Sequence, residues 1–187
     1  MGRLKEFDPE TALEAAMDLF WRRGYEATST ADLVAKLGIA RGSLYATFGS
    51  KHELYARALD RYVRDRDPMI VRRLSHPGPV LPAVRALVES YAANATQGCF
   101  VVNAAVERMD DDAVAGRVRS SWDTLEVALT SALLRAQEQG ELPADAEPRA
   151  IARFLLVFLQ GIRVVGPDEQ QRERVADAIR TVLRILD

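Results

Sequence analysis

The chain has 187 residues, 48% of them hydrophobic and 28% charged, and its net charge at pH 7 is −2. This length fits one domain or two small ones with a real core, and the charge does not indicate a polyanion partner for the molecule as a whole. The longest apolar run, from Phe154, contains Arg163 and is far shorter than the roughly 20 residues that span a bilayer, so we expect no membrane segment.

The N-terminus lacks the uninterrupted apolar stretch of a secretory signal, and the single cysteine cannot form an internal disulfide. We therefore expect the protein in the cytoplasm.

The first third of the chain has helical periodicity. Asp8-Pro9 supplies an N-cap and a proline at the first helical position of a helix that ends at Gly24. A second helix begins near Thr28 to Thr30 and ends at Gly38.

Two more helices follow. The third runs from Arg41 to about Phe48, and Gly49 ends it. Ser50 and Glu53 have the spacing of a capping box, which starts a fourth helix. The pre-proline restriction at Asp67-Pro68 predicts the end of the fourth helix.

The second and third helices are only about two turns long and are joined by a short turn containing glycine, which is the arrangement of a helix-turn-helix. The second helix of such a unit enters the major groove of DNA. Gly42 and Ala46 allow close approach, Ser43 and Thr47 offer hydrogen bonds, and Arg41 offers a guanine-directed fork.

Other residues of this segment fit the same interpretation. Leu44 and Phe48, four residues apart, form the inward face, and Tyr45 can reach a phosphate with its hydroxyl. Ser50 and Lys51 lie at a helix N-terminus, which favours an anion. Taken singly, Arg41 is equally explained as a solvated surface residue, and Lys51 as helix-start chemistry.

The segment "GYEATSTADLVAKLGIARGSLYATFGSKHELYARAL", residues 24–59, resembles the DNA-binding domain of TetR/AcrR-type transcriptional regulators. Its glycines, its Leu-Tyr pair, its Phe and its Ser-Lys-x-Glu-Leu ending are in register with that family. The later segments "GCFVVNAAVE" and "FLLVFLQGIRVVG" resemble one branch of it more weakly. The resemblance implies an all-α homodimer with a C-terminal ligand-binding domain that releases DNA when ligand binds.

Roles carry over by position. The resemblance implies that Arg41, Ser43, Ala46 and Thr47 face bases, and that Thr28, Tyr45 and Lys51 hold phosphates. The chain departs from the family at Ala40, where members usually have Ser or Thr. Loss of that cap costs the third helix on the order of 1 kcal/mol.

The rest of the chain is also predicted to be helical. One helix begins at Val80, a short one spans Phe100 to Arg108, and a long one follows Asp110–Asp112 and extends to about Gln139. The acidic triplet is explained by its place at a helix N-terminus, and the two histidines and one cysteine lack zinc-ligand spacing. We expect no metal and no cofactor.

The last two helices suggest a dimer. The helix between Pro148 and Gly166 is apolar on most faces, and the final helix, from Asp168, has one apolar stripe. A second subunit is predicted to cover them in a four-helix interface, the alternative being that both close the monomer core. The predicted interface residues are Phe154, Phe158, Gly161, Ile162, Val175, Ile179, Val182 and Leu183.

The ligand pocket is the least defined prediction. Asn103, Glu107 and Gln160 are possible polar contacts. Cys99 is either an inert buried residue or a sensor of an electrophile or oxidant. The candidate lining residues are Tyr91, Cys99, Phe100, Asn103, Met109, Trp122, Leu125 and Phe158.

The sequence therefore predicts an all-α protein with an N-terminal helix-turn-helix domain (1–49), a connecting helix (50–67) and a larger ligand-binding and dimerisation domain (68–187). The predicted function is a ligand-responsive regulator, a repressor on a palindromic double-stranded DNA operator. The alternative is an all-α small-molecule-binding or interaction protein without DNA binding. An enzyme is not predicted, because neither histidine lies in a catalytic signature.

Overall fold

The computed structural model describes residues 7–186, in which every regular element is helical. The elements in chain order are α1 (Pro9–Arg23), α2 (Thr30–Leu37), α3 (Arg41–Phe48), α4 (Lys51–Leu74), α5 (Val80–Ala93), α6 (Phe100–Glu107), α7 (Asp112–Glu138), α8 (Pro148–Val165) and α9 (Arg172–Ile185). Short 3-10 turns at Ala95–Gln97 and Glu169–Gln171 precede α6 and α9. The predicted all-α class is confirmed.

Side-chain caps begin several of these helices. Asp8 accepts hydrogen bonds from the N–H groups of Glu10 and Thr11, and Ser29 forms a capping box with Asp32. Ser50 Oγ accepts from Glu53 N–H at 3.0 Å. Ala40 makes no side-chain cap, as predicted. The starts of α1, α2 and α4 are therefore fixed by local side-chain caps.

The core consists of two hydrophobic clusters. The first joins α1, α2 and α3 to α6 and to the first halves of α4 and α7, and the second joins α5, α8 and α9 to the second halves of α4 and α7. Because α4 and α7 belong to both clusters, they connect the N-terminal helices to the C-terminal ones. The domain boundaries at residues 49 and 67 remain a prediction.

The predicted end of α4 at Pro68 is wrong, since the helix continues to Leu74. A proline inside a helix removes one hydrogen bond and typically costs about 3 kcal/mol or more. The helix persists because Ile70 and Leu74, beyond the proline, are buried in the second cluster. Buried Asp67 is also held, by the Nε of Arg66 at 3.1 Å.

The start of α9 differs by a few residues from the prediction. Asp168 caps the 3-10 turn, accepting from Gln170 N–H at 3.0 Å, and α9 itself begins at Arg172. The N-cap signal was correct, but the turn that follows it is tighter than an α-helix.

Candidate nucleic-acid interface and effector region

The two short helices α2 and α3 are joined by a turn that requires glycine. Gly38 has φ +64°, in the left-handed region, and its N–H donates to Val34 O at the end of α2. Buried Leu44 and Phe48 anchor the inner face of α3, and Ile39 is buried in the turn. The helix-turn-helix predicted from sequence is present.

The outer face of α3 contains most of the residues predicted to contact DNA. Arg41, Gly42, Tyr45 and Ala46 are exposed, whereas Ser43 and Thr47 are half-buried. A Cβ added to Gly42 would meet nothing within 4 Å. Packing within the protein therefore does not require a glycine there, which leaves close approach of another molecule as a reason for it.

The hydroxyl of Tyr45 lies between two side chains on this surface. It is 3.5 Å from Thr30 Oγ1 and 3.5 Å from a guanidinium nitrogen of Arg41. Hydrogen bonding to Thr30 and then to Arg41 lowers the pKa of Tyr45. Thr30 was not among the predicted contacts, because its partner Tyr45 lies 15 residues away and gives no local signal.

Lys51 lies over an aromatic ring at the start of α4. Its Nζ is 4.0 Å from the centroid of the Tyr25 ring, and the Arg108 guanidinium is 4.3 Å from the same centroid. Such stacking holds the cations in place while leaving their charge available to an anion. The role of Tyr25 could not be predicted from the sequence, because its contact with Arg108 joins residues far apart in the chain.

The prediction that Thr28 holds a phosphate is wrong. Its side chain is fully buried, and its hydroxyl donates to Gly24 O at 2.7 Å. A phosphate cannot reach this hydroxyl in the conformation observed, so Thr28 stabilises the turn after α1. We leave it out of the proposed DNA contacts.

Direct hydrogen bonds join α6 to the N-terminal helices. Glu107 accepts from Tyr25 N–H at 2.6 Å, and Asn103 Nδ2 donates to Trp21 O at 2.9 Å. A Cβ at Gly24, where φ is +81°, would collide with the Glu107 carboxylate. Glu107 and Asn103, predicted as possible polar ligand contacts, thus connect α6 to α1 and to the turn that follows it.

His52 and Asp111 form a further connection, between the starts of α4 and α7. His52 Nε2 lies 3.3 Å from the Asp111 carboxylate. The hydrogen bond from Val114 N–H, followed by the nearby His52, lowers the pKa of Asp111. The acidic residue therefore caps α7, in keeping with the sequence-based explanation of the Asp110–Asp112 triplet.

The predicted pocket residues do not line one cavity. Tyr91 and Leu125 belong to the second cluster, and Phe158 lies on the outer side of α8 with its ring stacked on Phe154. Those in or packed against the first cluster are Cys99, Phe100, Met109 and Trp122. The prediction that these residues line one ligand pocket is wrong, because they are divided between the two hydrophobic clusters.

Cys99 is buried between α4 and α6. Its Sγ is 2.9 Å from Arg66 Nη1 and 3.6 Å from the Tyr62 hydroxyl. Burial leaves the thiol little access to solvent, which favours the inert interpretation over the sensor.

Three cavities contain predicted pocket residues. One, of about 660 Å³, lies between α1 and the start of α6 and is lined by Trp21, Thr96 and Asn103 among others. A second, of about 310 Å³, lies between α4, α5 and α8 and includes Tyr91. A third, of about 650 Å³, lies between α8 and α9 and includes Phe158.

The outer face of α8 is apolar. Phe154, Val157 and Val164 are 46%, 72% and 59% exposed, and Gly161 lies between them. Three predicted interface residues, Ile162, Ile179 and Val182, instead lie in the core of the chain. For Ile162 the error arose because α8 is apolar on most faces, so the pattern could not tell which face points inward. For Ile179 and Val182 it arose because the single apolar stripe of α9 packs on the core of its own chain. Val175 and Leu183 are half-buried at the edge of this face.

Metal-ligating clusters and membrane-spanning helices are both absent from residues 7–186. No cluster of three His, Cys, Asp or Glu residues suited to a metal was found there. None of the helices in this range combines the length and apolarity needed to cross a bilayer.

The chain has the features of a helix-turn-helix DNA-binding protein. A glycine turn joins two short helices, small residues on the outer face of α3 allow close approach, and cations lie at both ends of that face. Family models agree: bacterial regulatory proteins of the tetR family match residues 12–58, and the tetracyclin repressor-like C-terminal domain matches residues 80–182. The chain belongs to the TetR family of transcriptional regulators.

Relatives with curated descriptions cover essentially the whole chain. It is 35% identical over 195 residues to the uncharacterized HTH-type transcriptional regulator YezE of Bacillus subtilis, with 100% of both chains covered. It is 31% identical to the HTH-type transcriptional repressor ComR of Escherichia coli, over 98% of this chain and 91% of ComR.

A solved structure shows the same fold on DNA. A cysteine variant of the TetR family regulator CifR, complexed with 26-base-pair operator DNA, superposes with a TM-score of 0.84. The identity is 30%, and 98% of each chain is covered.

Proposed function

We propose that this chain is a homodimeric repressor that holds a palindromic operator with two copies of α3 and releases it when a small molecule binds to the C-terminal helices. The observation that carries the proposal is the exposed α3 surface, with Arg41 and Tyr45 on the helix and Lys51 held beside it by Tyr25. ComR is described as a repressor, and CifR was solved on its operator, which supports the same role here. Because the target is chromosomal DNA, we place the protein in the cytoplasm.

Each residue of the surface has a role in the proposal. Arg41 and Ser43, with Ala46 and Thr47, face base edges in the major groove. Tyr45 and Lys51 hold phosphates on either side and set the register of the helix. Gly42 lets the backbone of α3 lie close to the DNA.

The homodimer is supported by the apolar outer face of α8. A two-fold axis there brings two copies of the same face together, as closed dimers require. Phe154, Val157, Phe158 and Gly161 lie on this face and are the proposed centre of the interface.

The proposed release mechanism uses α4 and α6. Helix α4 is continuous from Lys51 to Leu74, so a shift of its C-terminal half changes the position of Lys51. Helix α6 is hydrogen-bonded through Glu107 and Asn103 to α1 and the turn after it, which lead into the helix-turn-helix. A ligand that favours one arrangement of these helices couples to DNA by typically about 1–3 kcal/mol, or 5- to 150-fold in affinity.

We assign no catalytic role. His52 is paired with Asp111, a ring nitrogen of His76 contacts Pro77 O at 2.8 Å, and Cys99 is buried. These groups are not arranged as a nucleophile with its base.

The test is duplex binding measured by fluorescence anisotropy over a range of salt concentrations. Lys51→Ala is expected to weaken binding to all sequences and to reduce the salt slope by about 1. Arg41→Ala is expected to cost about 1–3 kcal/mol on the operator and to relax preference at particular base pairs.

Arg119→Ala is the matched control, since Arg119 is exposed on α7. It should bind like the unmodified protein. Equal binding by all three variants and the unmodified protein contradicts the proposal and favours a small-molecule-binding protein without DNA binding.

A further inference from the structure

The cavity between α4, α5 and α8 is lined by three arginines. Arg66 and Arg73 come from α4 and Arg163 from α8, and none of the described residues that line this cavity is acidic. Its volume of about 310 Å³ is at the small end of the range for ligand sites, about 300–1,000 Å³. The concentration of positive charge sets this cavity apart from the larger one beside α1.

Two of these cations are not neutralised. Arg66 is paired with Asp67 at 3.1 Å. Arg163 Nη1 donates to the carbonyl oxygens of Asn94 and Gly98, and Arg73 Nη1 donates weakly to Ala86 O at 3.5 Å. Within residues 7–186 neither Arg163 nor Arg73 has a carboxylate partner, so the cavity has excess positive charge.

Two buried donors of the lining residues also lack partners. The Tyr91 hydroxyl and the Arg163 Nε have no hydrogen-bond acceptor among residues 7–186. Burial raises the pKa of Tyr91, so its hydroxyl keeps its proton and acts as a donor. The Arg163 guanidinium lies 4.5 Å from the Tyr91 ring centroid, which holds the two groups together. Buried donors without acceptors are costly and call for an explanation.

The remaining wall is apolar. Met69, Ile70 and Leu87 line the cavity together with the polar groups. A ligand that fits is therefore small, with an anionic group at one end and an apolar body at the other. Arginine guanidinium groups recognise a carboxylate through paired hydrogen bonds.

We propose that this cavity is the effector site and that it binds a small monocarboxylate, with the carboxylate on Arg163, Arg73 and Tyr91 and the apolar body against Ile70 and Leu87. The role of this cavity as an effector site rests on the proposed function. The binding of a carboxylate is inferred from the residues that line the cavity and does not depend on that function. Because α4 lines the cavity and begins at Lys51, an occupant contacts the helix that reaches the DNA surface.

The experiment is calorimetric titration of the full chain, without DNA, with benzoate and hexanoate and with the uncharged benzamide and hexanamide. At least one carboxylate is expected to bind saturably, and its amide at least about tenfold more weakly. No saturable binding of either carboxylate up to about 10 mM, where a ligand of Kd ~1 mM is nearly saturated, overturns the proposal. Equal binding of acid and amide overturns it as well.

Substitutions of residues that line the cavity test whether the carboxylate binds there. Tyr91→Phe removes only a hydroxyl that has no partner, so the fold is expected to keep its stability while carboxylate affinity falls about tenfold. Arg73→Gln should lower the affinity similarly. Arg72→Gln changes the same charge on the same helix outside this cavity, and it should bind like the unmodified protein.

Two results separate this proposal from the DNA-binding one. Unchanged carboxylate affinity in both Tyr91→Phe and Arg73→Gln places the anion elsewhere and overturns the site. Duplex binding is measured on the same samples. If the protein binds DNA but no carboxylate, only the effector site fails; if it binds carboxylate but no duplex, only the regulator fails.

Discussion

Gly42 shows how a single residue on α3 separates folding from function. It lies in the first turn of the helix, exposed, with nothing within 4 Å of where a Cβ would be. Glycine in a helix is less favourable than alanine by roughly 0.5–1 kcal/mol, so the protein is slightly less stable with glycine here. In the proposed function, the benefit that offsets this cost is the close approach of α3 to DNA.

Gly42→Ala is therefore expected to raise the free energy of unfolding by about 0.5–1 kcal/mol, because no atom of the protein opposes the methyl group. Duplex affinity is expected to fall about tenfold or more, comparable to one lost base contact. Urea unfolding and anisotropy measure the two effects.

Gly116→Ala in α7 is the matched control, since its Cβ also meets nothing within 4 Å. It should stabilise the protein without changing DNA affinity. If both variants bind the duplex alike, Gly42 does not lie against DNA.

At the scale of elements, local signals in the sequence predicted where helices begin better than where they end. Asp8, Ser29, Ser50 and Asp111 cap α1, α2, α4 and α7 as side-chain chemistry predicts. The end of α4 depends instead on burial of Ile70 and Leu74 against distant helices, which the local pattern around Pro68 does not contain.

The candidate site divides in the same way. The α3 surface follows from a short contiguous motif, so its residues could be predicted. The contact of Tyr25 N–H with Glu107 joins residues 82 apart, and the arginine-lined cavity needs α4, α5 and α8 together. Only the fold brings such groups into contact, and for the same reason the predicted pocket residues were dispersed.

The cap of α7 makes stability depend on pH. The pKa of Asp111 is lower in the folded protein, mainly because Val114 N–H donates to it, so the carboxylate stabilises the fold above its unfolded pKa of about 3.9. That contribution is lost as pH falls through the lower folded value. Asparagine caps a helix as well as aspartate does but does not titrate.

We expect Asp111→Asn to make the free energy of unfolding fall less steeply below about pH 4 than in the unmodified protein. Urea unfolding followed by circular dichroism at a series of pH values measures this slope. Asp112→Asn, at an exposed neighbour that does not cap the helix, is the control and should leave the profile unchanged. Identical slopes for Asp111→Asn and the unmodified protein would show that this cap does not titrate with folding.

At the scale of the whole molecule, the proposed binding to a palindromic operator requires two copies of the chain to meet through α8 and α9. Val157 is 72% exposed at the centre of the proposed interface, and a glutamate there places two charges in an apolar contact. Val157→Glu is expected to give a folded monomer with weakened operator binding, as seen by sedimentation and anisotropy.

Val106→Glu is the control, because Val106 is 75% exposed on α6, away from this face. It should remain a dimer. A dimer that persists in Val157→Glu under the same conditions would place the interface on another surface.

The measurement that tests the central claim most directly is selection of bound duplexes from a random DNA pool by the purified protein, followed by sequencing. We expect enrichment of one palindrome, with half-sites about 10 base pairs apart or a multiple of that spacing, because a two-fold dimer presents two copies of α3. A folded dimer that enriches no sequence at low salt would contradict that claim.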